Sequence, residues 1–353
     1  MMTFAGLSTL RNFAINPWIN GLILGIMVLG IFISFRVLNI ADLSVEGIIP
    51  MTTMLTAVMI ASGINPWLVL LISMILGAIC GVLNAILMIH LKIPPLLSGI
   101  IVMALTFGIA IMINSLKSGQ AVFDPNTNLT CFNWLQSLLA GNSDNRVWRF
   151  YAANLSYIIV ALVVLAILFA TLYFFFGTEL GMSIRAAGKN PSMAEANGIN
   201  VKKMSTIALA ISGALIGAAG CLYGQHNGFG LPNDGQGMIV IALSGLFLGE
   251  IIIPNITFKR SIISCIVGSL LYWYVIQALI ILDSKGYMLS VYKALLLIII
   301  LILHRVSAFL RRKYPPKKKA IKGASNEDAP IPEGPKPIVE ELSRLCLGRR
   351  SNA

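Results

Sequence analysis

A short polar interruption in otherwise apolar sequence is the first place in this chain where chemistry is expected. The run Asp42-Leu43-Ser44-Val45-Glu46-Gly47 brings together two carboxylates, a hydroxyl and a glycine. Such a break is tolerated at membrane depth only where protein or a water-filled cavity satisfies the freed backbone groups. Ser44 and Glu46 are therefore candidates to line a polar route through the bundle. For Glu46, a purely structural break is an equally good interpretation.

Two further polar residues lie within apolar runs. Asn84 could line the same route, but a hydrogen bond between helices explains it equally well. Glu250 is an ionisable residue near the end of an apolar run, and such residues usually face the bundle interior or a water-filled cavity. For Glu250 we favour a position near the membrane boundary, paired with Lys259 or Arg260.

The few histidines and cysteines do not form a metal site or a catalytic cluster in the sequence. His90 and His304 each lie beside a cationic residue and are predicted to be interfacial. Gln225, His226 and Asn227 are predicted to lie on a loop, where they would either meet a docking protein or be solvated. Paired metal-ligand spacing is lacking among Cys80, Cys131, His90, His226 and His304, and the five cysteines form no disulfide framework.

The segment Gly181–Lys189 superficially resembles a phosphate-binding loop, because a glycine precedes a Gly-Lys pair. The spacing between the glycines is too long, and Asn190 replaces the Ser or Thr that would hold magnesium. No strand pattern precedes the segment. We therefore expect neither ATP hydrolysis nor a bound cofactor in this chain.

The next residues, Asn190–Gly198, predict a short capped helix between two long apolar runs. Asn190 suits the N-cap, Pro191 the first helical position, and Gly198 the left-handed residue that closes a helix. A structured polar loop of this kind, within residues 177–203, is typical of a surface presented to a partner protein. The residues predicted to contribute to it are Arg185, Asn190, Pro191, Met193, Ala194, Glu195 and Gly198.

Composition defines the elements that must position these residues. The chain is 57% hydrophobic and only 11% charged, whereas soluble domains carry about 25% charged residues. Apolar runs long enough to cross about 30 Å of hydrocarbon predict an all-α, polytopic membrane protein with about nine spans, eight to ten being possible. The predicted spans are Trp18–Phe35, Gly47–Ala61, Trp67–His90, Leu96–Ile113, Leu155–Phe176, Met204–Leu222, Met238–Ile253, Ile262–Ile281 and Val291–Phe309.

Basic residues predict the orientation. They cluster in the polar loop, at Lys259 and Arg260, and after the last span, and such clusters mark the cytoplasmic side. The membrane domain is predicted to cover residues 1–313. Residues 314–353 form a Pro- and Lys-rich tail, predicted to be disordered and cytoplasmic. Basic residues near the span ends and in the tail explain the net charge of +12 without a nucleic-acid partner.

Several of these motifs resemble the permease subunits of ABC importers of the branched-chain amino acid and ribose type. The run from Leu180 to Val201 is similar to their cytoplasmic coupling loop. Asp42–Gly47 is similar to an Asp-Leu-Ser-Val-Gly-Gly run at a broken helix, from which Glu46 departs. Three runs, Asn65–Leu68, Lys92–Ile100 and Gly235–Ile241, resemble a branch associated with tryptophan and tyrosine import. The resemblance covers roughly residues 18 to 310.

The resemblance implies a bacterial inner-membrane permease that carries a small solute, namely an amino acid, and the resemblance to the tryptophan and tyrosine branch implies an aromatic one. It implies two copies of a separate ATPase subunit, a second permease copy in a homodimer, and an extracytoplasmic substrate-binding protein. ATP-driven closure of the ATPase dimer would move Asn190–Gly198 as a lever and switch access to the pathway.

Two other classes compete with this interpretation. A secondary transporter would show matching breaks in both halves of an internal repeat, and only Asp42–Gly47 qualifies clearly. An integral membrane enzyme would need clustered His, Asp or Glu residues on one membrane face, and the sequence offers no such cluster.

Overall fold

A computed structural model describes residues 4–115, 121–122, 130–140, 146–253, 257–282 and 289–313, and these are overwhelmingly helical. Each of the nine predicted spans coincides with one of their helices. The α-helices are α1 Phe4–Ile31, α2 Val45–Ala61, α3 Pro66–Ile89, α4 Pro95–Ser115, α5 Asn133–Ala140, α6 Arg146–Gly177, α7 Glu179–Lys189, α8 Pro191–Ala196, α9 Val201–Asn227, α10 Met238–Ile252, α11 Phe258–Leu282 and α12 Leu289–Lys313. The predicted tail, 314–353, lies outside the described residues.

The helices have the lengths and composition of a polytopic membrane protein. Within the described part of the chain, seven helices are long and apolar enough to cross a membrane, and α2 is a shorter apolar helix. The only strands there are β1 (Ala121–Val122) and β2 (Phe229–Gly230), which pair antiparallel. The predicted all-α, polytopic fold is confirmed.

Helix α1 lies in the middle of the bundle, packed against α6, α9, α10 and α11. Its apolar side chains from Ile19 to Ile33 are almost all inaccessible. By contrast, α3, α4, α6 and α12 each expose rows of large apolar side chains. This distribution suits a membrane protein, since lipid is as apolar as the side chains that face it.

The helix break lies slightly earlier in the chain than the sequence predicted. Helix α1 continues into a π-helical turn, Phe32–Val37, and the chain is then non-helical from Leu38 to Ser44. Glu46 and Gly47 belong to the first turn of α2 and not to the break. The shift has a local cause: Asp42 Oδ1 accepts the Ser44 N–H at 2.9 Å, so the carboxylate satisfies backbone just before α2 begins.

Glycines bring α3 and α9 into backbone contact. A Cβ atom added to Gly77 would clash with the carbonyl oxygen of Gly213, and a Cβ added to Gly213 would clash with that of Gly77. Further along, Gly217 lies against the Ser73 carbonyl and Gly81 against the Leu209 carbonyl, so the two helices run antiparallel. Small residues thus let these two helices pack closely.

Candidate coupling and translocation sites

The polar segment between α6 and α9 forms two helices where the sequence predicted one. Helix α7 precedes the predicted helix, and the Thr178 hydroxyl accepts the Gly181 N–H at its start. Helix α8 is the predicted one. Asn190 Oδ1 accepts the Met193 N–H at 3.2 Å, and Pro191 occupies the first turn. Gly198 follows in the left-handed conformation with φ +79°, so the predicted caps are confirmed.

Five of the seven residues predicted to meet a partner are exposed around α8. Asn190, Pro191, Glu195 and Gly198 are exposed, and the Met193 side chain has 64% of its surface accessible. An exposed methionine on a short rigid helix can fill an apolar pocket on another protein. The coupling role of this surface stays a prediction.

The other two predicted contact residues are placed differently. Ala194 is buried, with 3% of its surface accessible, and therefore packs against the bundle. The Arg185 guanidinium lies 5.3 Å from the centre of the Phe258 ring at the start of α11, and Arg185 is half-buried. Arg185 on α7 and Ala194 on α8 thus belong to the faces that these two helices turn toward the bundle, and neither lies on the exposed side of α8.

Helix α7 also contacts the break between α1 and α2. A Cβ atom on Gly188 would clash with the Val37 carbonyl oxygen, and Asn39 Nδ2 donates to the Gly188 carbonyl at 3.0 Å. Asn39 itself has a positive φ of 56°. A displacement of α7 would therefore act directly on the non-helical segment Leu38–Ser44.

That segment ends in a buried polar cluster. Asn84 Nδ2 donates to Asp42 Oδ1 at 2.9 Å, and Ser98 Oγ donates to Asn84 Oδ1 at 2.7 Å. Asp42, Ser44, Asn84 and Ser98 are all buried. The structure thus brings together Ser44 and Asn84, two of the three predicted pathway residues. It adds Asp42, which the sequence indicated only as part of the break, and Ser98 of α4.

The third predicted pathway residue, Glu46, faces another helix. Its half-buried carboxylate lies beside the backbone N–H groups of Gly237 and Ile239 at the start of α10. A carboxylate is favourable at a helix N-terminus, where backbone donors lack partners inside the helix. Glu46 therefore lies between α2 and the start of α10, and its pathway role stays a prediction.

Glu250 pairs with residues other than those predicted. Its carboxylate accepts Arg36 Nε at 2.6 Å, forms an ion pair with the Arg36 guanidinium, and lies 3.1 Å from His304 Nε2. The expected pairing with Lys259 or Arg260 is wrong. The interfacial position of His304 stays a prediction. A buried carboxylate needs close partners. The fold brings Arg36, which is 214 residues away along the chain, to Glu250, and not the basic residues that follow Glu250 in sequence.

The residues predicted to meet a docking protein are helical and not in a loop, because α9 continues to Asn227. Gln225 has no accessible surface: its Oε1 accepts the Cys131 N–H at 3.0 Å. The docking role predicted for Gln225 is therefore corrected to an internal one. His226 is half-buried, with its ring 4.9 Å from that of Tyr157, and Asn227 is half-buried beside it. Burial also raises the pKa of the Cys131 thiol to about 12, which keeps it protonated.

The arrangement of spans, break and capped surface helix agrees with comparisons to known proteins. The family described as branched-chain amino acid transport system / permease component matches residues 14–304. The chain belongs to this permease family. The match covers all nine helices that correspond to predicted spans, apart from the beginning of α1 and the end of α12.

The relatives of this permease are named for different substrates. It is 29% identical over 262 residues to the tyrosine transport system permease protein of Clostridioides difficile, covering 74% of this chain and 81% of that one. It is 22% identical over 262 residues to the ribose import permease protein RbsC of Haemophilus influenzae, covering 73% and 74%. It is 29% identical over 189 residues to the guanosine ABC transporter permease protein NupQ of Bacillus subtilis, covering 52% and 57%. No solved structure matches the chain significantly.

These relatives confirm the predicted resemblance to ABC-type permeases, including one for tyrosine. They favour an ABC permease over the secondary transporter and the membrane enzyme that the sequence left as alternatives.

Proposed function

We propose that this permease is the membrane-spanning subunit of a bacterial ABC importer that carries a small solute, an amino acid and specifically an aromatic one. The family match and the tyrosine permease relative support the proposal. Ribose and guanosine permeases among the relatives make a sugar or a nucleoside the competing substrate class.

The proposed assembly contains two permease copies, two copies of a separate ATPase subunit and an extracytoplasmic substrate-binding protein. The ATPase would bind the exposed side of α8, in the cytoplasm, with Met193 as the apolar contact and Glu195 as a charged one. The basic residues at the ends of the spans support this proposed orientation, in which the C-terminus is also cytoplasmic.

One contact carries the proposed mechanism: α7 lies against the end of α1 through Gly188 and Val37. Movement of α8 by the ATPase would shift α7, because only Asn190 separates the two helices. The shift would reach Leu38–Ser44 and then the Asp42–Asn84–Ser98 cluster. A non-helical segment can change its backbone angles without breaking helix hydrogen bonds, so it suits a two-state gate.

A glycine substitution tests the docking of α8. Gly198→Val places a β-branched residue at φ +79°, where a non-glycine residue costs roughly 1–2 kcal/mol, although no atom lies within 4 Å of the added Cβ. We expect the variant to reach the membrane but to lose ATPase binding or substrate-stimulated ATP hydrolysis. Co-purification of the ATPase and an ATPase assay in lipid measure both effects.

Gly63 supplies the matched control. It has φ +81° and is equally open, but it lies between α2 and α3, at the end of the bundle away from α8. Gly63→Val should leave ATPase binding intact, and Gly198→Asn should restore it, because Asn tolerates the left-handed conformation. Equal ATPase binding and stimulation in wild type and Gly198→Val would contradict the coupling role.

The substrate class requires a separate measurement. Calorimetry on the binding protein that operates with this permease, with tyrosine, tryptophan, ribose and guanosine as ligands, distinguishes the three classes. Tight binding of an aromatic amino acid is the expected result, and binding of ribose or guanosine alone would contradict it.

A further inference from the structure

A cavity of about 620 Å³ lies where α1, α7 and α11 meet, next to the surface that carries α8. Its lining joins the end of α1, the inner side of α7 and the first turn of α11. The lining residues are Phe32, Arg36, Val37, Arg185, Lys189, Thr257, Phe258 and Ser261.

The cavity carries an excess of positive charge. Three of its lining residues are cations: Arg185, Lys189 and Arg36, of which Arg36 pairs with Glu250. Among the described residues, Arg185 and Lys189 form no ion pair. The Arg185 Nε atom is inaccessible and has no hydrogen-bond partner there. Two cations without acidic partners at one cavity favour an anionic ligand.

The start of α11 adds donors of a second kind. Thr257 and Ser261 contribute hydroxyl groups to the lining. The first backbone N–H groups of a long helix lack partners within the helix and lie at the positive end of its dipole. Guanidinium, ammonium, hydroxyl and helix N-terminus are together the groups that bind phosphate oxygens.

The remaining lining is apolar. Phe32 and Phe258 lie with their rings 5.8 Å apart, and the Arg185 guanidinium lies over the second of them. An apolar wall beside cations suits a ligand whose charged group is attached to an apolar body. Basic pockets between membrane helices have this character where they bind lipid headgroups.

We propose that this cavity binds a phosphate group, with Arg185 and Lys189 as its principal cationic contacts. The phosphate could belong to an anionic phospholipid or to a free phosphate-bearing solute, and both present the same oxygens to the cavity. A bound phosphate would bridge α1, α7 and α11 and so fix the position of α7. The proposal does not depend on the identity of the transported substrate.

The test compares phosphate retention by full-length permease variants. Wild type and the double variant Arg185→Gln/Lys189→Gln are purified from membranes containing phosphatidylglycerol and phosphatidylethanolamine, and bound lipid is counted by native mass spectrometry. The control is Lys202→Gln/Lys203→Gln, which removes the same charge from exposed residues at the start of α9. Size-exclusion profiles establish that each variant is folded.

For a lipid headgroup, we expect the cavity variant to lose phosphatidylglycerol about tenfold or more, since each cation near a phosphate contributes about 1 kcal/mol. The control should retain it. For a free solute, lipid retention should be unchanged, and calorimetry with inorganic phosphate should show binding that only the cavity variant lacks. A single variant, Lys189→Gln, removes the charge of the exposed cavity residue alone. The proposal is wrong if this variant, the cavity variant and the control all match wild type in both measurements. Equal loss in cavity variant and control would also overturn it, since general surface charge would then explain binding.

Discussion

Glycines serve opposite purposes in two regions of this permease. Between α3 and α9, Gly77 and Gly213 let two backbones touch inside the bundle. In the surface segment, residues 178–200, Gly198 supplies a left-handed turn with open space around it. In the first region, backbone atoms occupy the space that a side chain would need. The second has a defined shape because of its caps and backbone angles, and it can therefore move as a unit.

Gly188 lies between these two cases. It belongs to the surface segment by sequence, yet it touches the α1 backbone as closely as Gly213 touches α3. The comparison therefore predicts a graded response to substitution. Substitution in the buried pair should destabilise the whole bundle, and substitution at Gly188 should have an intermediate effect. Substitution at the caps of α8 should affect only the stability of that helix.

The largest effect is expected for Gly213→Val. The added side chain meets the Gly77 carbonyl, a backbone atom that no rotamer change can move aside. Overpacking of this kind costs roughly 3 kcal/mol or more, and we expect little folded protein in the membrane. Fluorescence-detected size exclusion of a tagged permease measures this.

Gly108→Ala is the control for that experiment, because no atom lies within 4 Å of the added methyl group on α4. It should behave as wild type. A well-folded Gly213→Val protein would show that α3 and α9 can separate, and the distinction between a rigid bundle and a movable surface segment would fail.

An intermediate effect is expected for Gly188→Ala. The methyl group meets the Val37 carbonyl and should displace α7 from the end of α1, with loss of the bond from Asn39 Nδ2. We expect a cost of roughly 1–3 kcal/mol and faster hydrogen exchange across α7 and α8 in an otherwise folded protein. Transport should fall while the ATPase still binds.

Gly177→Ala provides the comparison, since the end of α6 leaves space for its methyl group. Exchange rates in the surface segment should be unchanged in this variant. If Gly188→Ala gives the same exchange pattern as Gly177→Ala, α7 is not held by α1, and the proposed route from α8 to the break has no physical basis.

The smallest effect is expected for Asn190→Ala. It removes the bond from the Met193 N–H at the start of α8 and should cost about 1 kcal/mol of local helix stability. Hydrogen exchange at Met193 should accelerate by about fivefold, without a change in the melting temperature of the bundle. Asn190→Asp, which keeps an acceptor at the N-cap, should preserve slow exchange. Faster exchange throughout the bundle would show that the cap supports more than α8.

Local signals were sufficient for much of this structure. The apolar runs predicted every span, because a helix that crosses lipid must satisfy its backbone internally wherever it lies in the fold. Asn190, Pro191 and Gly198 predicted the caps of α8, since each acts on backbone within a few residues. Helix α7 was not predicted, although Thr178 offers an N-cap signal at its start.

The tetrapeptide Ile-Asn-Pro-Trp occurs twice, at Ile15–Trp18 and Ile64–Trp67, and shows the limit of such local reasoning. In the second copy Asn65 accepts the Trp67 N–H at 3.0 Å and α3 begins, whereas in the first copy Pro17 lies inside α1. The same four residues start one helix and continue another. The difference lies in what precedes each copy. Gly63, with φ +81°, ends α2 just before the second copy, whereas the residues before the first copy already belong to α1.

The sequence by itself determined the span positions, the capped surface helix and the family, because these depend on hydrophobic length, backbone preference and short motifs. Only the tertiary structure decided which polar groups meet. It brought Arg36 and His304 to Glu250, Asn84 to Asp42, and Gly188 to Val37. It also buried Gln225 and Ala194, which were expected at the surface. Partners so distant along the chain are set by how the helices pack, and that packing is a property of the whole bundle.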